Sequence, residues 1–99
     1  MAVVLVSPRA RRNLARLIDT HSLPASTVRR FEDSIEPLTR FPLLGAPLTG
    51  RWSGFRFVLG PWRWMLVVYE FDESLDRVGI VTIQDARSAG AATSTQNQT

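Results

Sequence analysis

The spacing of the apolar residues changes once along this chain of 99 residues. In the first part they recur at helical intervals, as in Ala10, Leu14, Leu17 and Ile18, which share one sector at about 100° per residue. From about Trp52 onward apolar side chains recur at every second position, an interval that is typical of β-strands. This single change predicts helices first and a sheet afterwards, and therefore an α+β domain.

A short run rich in β-branched residues precedes the helical part. Residues 3–6 read Val-Val-Leu-Val, which predicts a strand that is buried on both faces. Ser7 and Pro8 follow, and this pair predicts an N-cap with proline in the first helical turn. We expect the first helix to run from there to about residue 19.

A second helix is expected over about residues 25–40, with Val28, Phe31, Ile35 and Leu38 on its apolar stripe. Its last turn contains a proline, which should kink or tighten the helix because the ring clashes with the carbonyl four residues back. The segment after it, residues 41–47, contains two prolines and a glycine and is expected to lack regular structure.

Three strands are expected in the second half, at about residues 52–59, 62–71 and 78–84. Gly60-Pro61 separates the first two of them, and a polar turn at residues 72–76 separates the last two. The element order is then β-α-α-β-β-β. We therefore predict an α+β fold in which a helical hairpin packs on a mainly antiparallel four-stranded sheet.

The length of the chain allows one domain, which we expect to span residues 1–87. Residues 88–99 contain no large apolar side chain. Such a segment does not bury enough surface to offset the entropy of ordering, and we predict a disordered polar tail.

The composition excludes several kinds of site. There is no cysteine, and the single histidine, His21, does not build a zinc site by itself. No glycine-rich phosphate loop occurs either, and we expect neither a metal nor a cofactor. His21 falls in the predicted loop between the helices, where an exposed bystander is the simpler interpretation and a general base is the alternative.

The basic residues are all arginines, twelve in number, and the net charge is +3. Arginine binds phosphate or carboxylate through two parallel hydrogen bonds and does not act as a base near neutral pH. If the strands around Gly60-Pro61 pair across an even-length loop, Arg56 and Arg63 project as diagonal neighbours from one sheet face. Because two close arginines repel each other, this arrangement favours a bound anion or a neutralising carboxylate such as Glu70.

Other groups have simpler explanations. The basic side of the first helix, with Arg9, Arg12 and Arg16, is expected to be solvated. The tryptophans fit core packing or a protein interface better than base stacking. The sheet face opposite the two arginines is expected to pack on the helices. Its apolar residues are Phe55, Phe57, Trp62, Trp64 and Leu66.

The only apolar run near the start, residues 2–6, is too short for a signal sequence or a membrane span, and arginines follow it instead of preceding it. We expect a cytoplasmic protein with no membrane contact.

Five local strings occur in a characteristic order along the chain. They are VLVSPRARRNL at residues 4–14, IEPL at 35–38, FPLLGAPL at 41–48, GFRFVLGPWR at 54–63 and VVYEFDE at 67–73. As an ordered set they resemble the RelE/ParE toxin superfamily of type II toxin–antitoxin systems. The resemblance covers residues 3 to about 87.

The resemblance implies a compact sheet with two helices, and a toxin that is held inactive in an oligomer with a wrapping antitoxin, which we expect to be acidic and DNA-binding. It also implies three candidate catalytic residues. Arg63 matches the arginine of an aromatic–arginine pair at the start of the third strand, Arg87 matches the arginine just after the last strand, and Arg56 matches a basic position on the second strand.

The superfamily includes RelE-like toxins, which cleave mRNA in the ribosome, and ParE-like toxins, which poison DNA gyrase. RNA cleavage needs a base and an acid, and arginines supply neither. Because there is no lysine and no tyrosine after Tyr69, the sequence favours a ParE-like growth inhibitor of a target such as DNA gyrase. The alternatives are a ribosome-dependent mRNA endoribonuclease in which Arg56, Arg63 and Arg87 clamp the phosphate, and a non-toxic interaction module that kept the fold.

Overall fold

Two helices pack on one face of a five-stranded sheet in the computed structural model, which describes residues 1–94. In chain order the elements are β1 (Val3–Val6), α1 (Pro8–Thr20), α2 (Thr27–Ile35), β2 (Ala46–Pro47), β3 (Arg56–Leu59), β4 (Met65–Asp72) and β5 (Arg77–Asp85). Short 3-10 helices span Glu36–Thr39 and Gly50–Trp52. The sheet order is β1-β5-β4-β3-β2, with β1 parallel to β5 and all other pairs antiparallel. The α+β class and the helical hairpin are confirmed.

Helix α1 begins at the predicted cap. The Ser7 hydroxyl oxygen accepts a hydrogen bond from the Ala10 amide at 3.0 Å, and Pro8 stands at the start of the first turn, where it displaces no helical hydrogen bond. Ala10 and Leu14 are buried, as the helical spacing predicts. Neither α1 nor any other helix within residues 1–94 is long and apolar enough to cross a membrane.

Helix α2 tightens at its end, as the proline predicts. The α-helical part stops at Ile35, and Pro37 lies in the 3-10 helix that follows. Phe31, Ile35 and Leu38 are buried, whereas Val28 remains half exposed. The predicted apolar stripe is therefore correct except at its first residue.

Strand β1 lies at the edge of the sheet, and the prediction that both of its faces are buried is wrong. It pairs only with β5, and the Val3 and Leu5 side chains are 57% and 49% exposed. The helices cover only one face of the sheet, so the alternate residues of an apolar edge strand remain in contact with water.

The connector after α2 contains strand β2, where the sequence predicted no regular structure. Ala46 pairs with Phe57 and Pro47 with Arg56. Pro47 lacks a backbone N–H, and an edge position tolerates it because no further strand needs that donor. The sheet therefore has one strand more than the four that were predicted.

The pairing of β3 with β4 differs from the predicted one. Leu59 pairs with Leu66, and Arg56 pairs with Tyr69 instead of Met65. The difference arises because residues 60–64 form the connecting loop, closed by a 2.8 Å hydrogen bond from the Gly60 amide to the Met65 carbonyl. The diagonal contact predicted between Arg56 and Arg63 is lost with this register.

The helices cover the sheet face opposite to the expected one. Tyr69, which pairs with Arg56, belongs to the core beneath the helices. Phe55 and Phe57 instead pack with Leu66 on the other face, although Trp62 and Trp64 do pack on the helix side. Strand β4 is apolar on both faces, so its residue pattern does not indicate which face the helices occupy.

The second sheet face is covered in part by the segment after β5. Ala91 and Ala92 are buried against Leu66 and Val68, and the Ala92 amide donates to the Gln84 side-chain oxygen at 2.7 Å. Small side chains suffice here because the sheet itself supplies the apolar surface. Packed residues thus extend beyond the boundary that was predicted at residue 87, and residues 95–99 of the predicted tail lie outside the described residues.

Candidate functional site

Arg56 holds the connector loop in place. Its guanidinium donates to the Gly45 carbonyl at 2.7 Å and to the Leu43 carbonyl at 3.3 Å. The neighbouring Tyr69 hydroxyl donates to the Pro42 carbonyl and accepts from the Gly45 amide, both at 2.8 Å. Burial raises the pKa of Tyr69, against smaller lowering effects of the Gly45 amide and Arg56, so the phenol is neutral at physiological pH. The structure therefore gives Arg56 a structural task.

Arg63 lies in the loop between β3 and β4 and is exposed. Its side chain forms no ion pair or hydrogen bond within residues 1–94. Arg56 is level with Tyr69, four residues along β4 from Met65, which corresponds to about 13 Å at ~3.3 Å per residue. The structure does not bring these two arginines together.

Arg87 is bound by a carboxylate. Its guanidinium donates to both oxygens of Asp85, at 2.9 Å from Nε and 2.8 Å from Nη2, and lies 4.8 Å from the ring centre of Trp64. These hydrogen bonds lower the pKa of Asp85 from 3.8 to about 2, and the same contact raises the pKa of Arg87. Arg87 thus already has an anionic partner within the chain.

His21 joins this group, which the sequence did not indicate. Its Nε2 lies 3.6 Å from an oxygen of Asp85, and its ring centre is 4.6 Å from that of Trp64. The residue follows α1 directly, and α1 packs along β5, so the helix delivers the imidazole to the end of that strand. No local spacing pattern signals a contact between residues so distant in sequence.

We call His21, Trp64, Asp85 and Arg87 the histidine cluster. Arg63 precedes Trp64 in the chain and therefore lies at the same end of the sheet. The cluster contains one imidazole, one carboxylate that stays ionised, and one guanidinium cation. Of the three predicted arginines, the structure brings Arg63 and Arg87 to this end and leaves Arg56 elsewhere.

The tryptophans contact other parts of the protein. Arg30 of α2 lies 5.4 Å from the ring centre of Trp62, whose buried indole N–H has no partner within the described residues. Trp52 packs edge-on against Phe55 at 5.8 Å. This agrees with the packing role favoured for these residues over base stacking.

An apolar groove of about 520 Å³ opens between β1, α1 and α2. Leu14, Ile18 and Phe31 are among its walls, and Arg11 and Glu32 also line it. We call it the apolar groove. Within residues 1–94 no group of three or more histidine, aspartate or glutamate side chains is arranged to hold a metal ion.

Two helices on a mixed sheet of this topology form the fold of the RelE/ParE toxin superfamily, so the resemblance found in the sequence is confirmed. The chain is similar to a chain of the RelBE2 toxin–antitoxin complex of Mycobacterium tuberculosis, with a TM-score of 0.62 and 25% identity over 85% of this chain and 96% of that one.

Two further structures share the fold. The chromosomal ParDE system of P. aeruginosa aligns with a TM-score of 0.68 and 16% identity over 88% of this chain and 98% of that one. A variant of YafQ from E. coli aligns with a TM-score of 0.63 and 11% identity over 92% of this chain and 100% of that one. No protein-family model matches the sequence, and no curated protein does.

Proposed function

We propose that this chain is the toxin of a type II toxin–antitoxin system and inhibits growth from within the cytoplasm. The fold that it shares with RelBE2 and ParDE chains supports this assignment.

The apolar groove is the surface that we propose for the antitoxin. An amphipathic segment with its apolar side towards Leu5, Ile18 and Val28 would bury apolar side chains that water otherwise covers, since Leu5 and Val28 are each 49% exposed. The net charge of +3 on the whole chain favours an acidic partner. At the groove itself Glu32 and Glu36 accompany Arg11, so a basic side chain of the partner would be paired there.

For the target, we propose a nucleic-acid-handling enzyme such as DNA gyrase, bound without bond cleavage. One observation supports this choice above the others: the three predicted arginines do not converge. Arg56 binds backbone carbonyls of the connector loop and is level with Tyr69, about 13 Å along β4 from Met65, where the loop that carries Arg63 ends. Arg87 is neutralised by Asp85. A phosphate clamp built from all three is therefore not assembled.

The histidine cluster favours a second candidate, a RelE-like ribosome-dependent mRNA endoribonuclease. RNA cleavage requires proton transfer to and from ribose and leaving oxygens. His21 supplies an imidazole, the side chain most often used for such proton transfers, 3.6 Å from Asp85, which in turn binds Arg87. In this candidate His21 moves the proton and Arg63 with Arg87 binds the phosphate.

The experiment is induction of this chain alone in bacterial cells, with mRNA 5′ ends on ribosomes and gyrase-linked DNA breaks measured in the same culture. Double-strand breaks with intact mRNA support the gyrase-type target. Cuts at fixed codon positions without DNA damage contradict it and establish the endoribonuclease. Unchanged growth with soluble protein present contradicts a toxin and leaves the non-toxic interaction module.

Variants separate the residue roles. The combined Arg63→Ala and Arg87→Ala change should relieve growth inhibition under either mechanism, with Arg77→Ala as an exposed control that keeps it. His21→Gln should abolish inhibition only if RNA is cleaved, because only that reaction needs the proton. Full toxicity of the double variant would remove Arg63 and Arg87 from the site.

A further inference from the structure

A second groove, of about 260 Å³, lies between α1 and the last part of β5. Strand β1 pairs with β5 only at residues 77–80. Beside the remaining residues of β5, α1 takes the place of a neighbouring strand. The helix contributes Arg9, Asn13, Arg16 and Leu17, whose spacing of four, seven and eight positions places them on one side. We call this the basic groove.

The two arginines of the basic groove are unpaired. Arg9 and Arg16 are exposed, and neither forms an ion pair or a side-chain hydrogen bond within the described part of the chain. Asp85 is the acidic residue that lines the groove, and both of its carboxylate oxygens are already bound by Arg87. The groove therefore carries positive charge that no neighbouring carboxylate neutralises.

The side-chain amides of the groove also offer donors. The Asn13 oxygen accepts from the Thr82 hydroxyl at 2.7 Å and from the Ile83 amide at 3.2 Å. The Gln84 oxygen accepts from the Ala92 amide at 2.7 Å. Both oxygens are occupied, whereas the two NH₂ groups have no partner among residues 1–94. The groups that remain free on these amides are therefore hydrogen-bond donors, as are the guanidinium groups of the two arginines.

We infer that the basic groove binds a phosphate group. Arg9 and Arg16 lie two turns apart, about 10.5 Å along the helix axis, which two extended arginine side chains span from either side. Guanidinium and amide donors match the several acceptor oxygens of phosphate. At about 260 Å³ the groove is smaller than the pockets of about 300–1,000 Å³ that hold larger organic ligands.

The phosphate has two sources with the same chemistry, the free ion and the phosphodiester of a nucleic-acid strand. The inference does not depend on the proposed function, because the groove excludes Arg56 and Arg63 and is tested on the purified full chain. The basic side of the first helix is exposed to solvent, as the sequence predicts, and the inference adds a ligand for two of its arginines.

The test is a titration followed by NMR, with inorganic phosphate in one series and a short single-stranded oligonucleotide in the other. The combined Arg9→Gln and Arg16→Gln change should weaken binding by about tenfold or more, since hydrogen bonds to charged groups are lost. The matched control, Arg12→Gln with Arg40→Gln, removes the same charge outside the groove and should change binding by less than about threefold. In the unsubstituted chain the Ile83 amide should shift on binding.

Each outcome decides the inference. Binding of both probes, or of one, with loss only in the groove variant supports it and identifies the source of the phosphate. Equal weakening in both variants shows attraction by net charge and overturns it, as does the absence of binding at millimolar phosphate. Circular dichroism of each variant confirms folding, and because growth is not measured, failure of this test is distinct from failure of the toxin assignment.

Discussion

Replacing Tyr69 by phenylalanine removes one oxygen atom from a fully buried position. That oxygen donates to the Pro42 carbonyl and accepts from the Gly45 amide, both at 2.8 Å. The ring keeps its packing, so the loss is confined to two hydrogen bonds. The variant therefore measures how strongly the connector loop is tied to the sheet.

The expected loss follows from the two groups left behind. A buried donor or acceptor without a partner costs about 1–3 kcal/mol, and the Gly45 amide is buried whereas the half-buried Pro42 carbonyl recovers part of its loss from water. We expect about 2–3 kcal/mol, a large share of the roughly 5–15 kcal/mol that stabilises a domain of this size. The melting temperature should fall by about 10–20 °C.

The assay is urea unfolding followed by tryptophan fluorescence. Ser74→Ala is the control, because it also removes one hydroxyl, which binds Asp72 on the exposed surface at 2.7 Å, and should cost less than about 0.5 kcal/mol. Since the pKa of Tyr69 is raised in the folded state above its ordinary 10.0, the stability of the unsubstituted protein falls as pH rises through that value. The difference in unfolding free energy between the unsubstituted protein and Tyr69→Phe should therefore narrow above pH 10.

A loss below about 0.5 kcal/mol at neutral pH would refute this reasoning, because the two hydrogen bonds would then contribute nothing beyond solvation. A large loss of unfolding free energy at neutral pH, with a difference between the two proteins that stays the same above pH 10, would show that the hydroxyl is not desolvated in the folded chain.

Two more predictions concern stability. A Cβ on Gly45 would lie 2.5 Å from the Phe57 carbonyl oxygen, so Gly45→Ala should lower the unfolding free energy by about 1–3 kcal/mol, whereas Gly90→Ala, with open space around it, should change it by less than about 0.5 kcal/mol in the same urea assay. Because the pKa of Asp85 is lowered to about 2, its contact with Arg87 stabilises the fold above pH 4 and is lost as pH falls towards 2. Asp85→Asn should therefore show a flatter loss of stability with acid, and parallel curves would contradict this.

Local chemistry explains what the sequence predicted well. The Ser7 cap, the stripe of α1 and the tightening at Pro37 depend on residues within one or two turns of each other. The pairing around residues 60–64 depends on loop length, which two turn-forming residues do not determine. The exposed side of β1 depends on which layers cover the sheet.

The candidate site divides in the same way. Arg63 and Arg87 were identified from local resemblance, and both lie at one end of the sheet. His21 was not, because its contact with Asp85 exists only after α1 has packed along β5. Arg56 matched by position in the strand, yet the register turned it towards carbonyls of the connector loop. Tertiary packing determines both contacts.

The parallel pairing of β1 with β5 has a consequence for how this protein comes into being. Ser7 and Val81, which a hydrogen bond joins, are 74 positions apart, so the first strand has no partner strand until the residues of β5 have been synthesised. Closing so long a loop costs chain entropy before any stabilising contact has formed, and this slows folding. The histidine cluster forms in this same late step, because Asp85 ends the strand against which α1 docks and Arg87 follows two residues later. A nascent chain is therefore without this site until its last strand has emerged and folded.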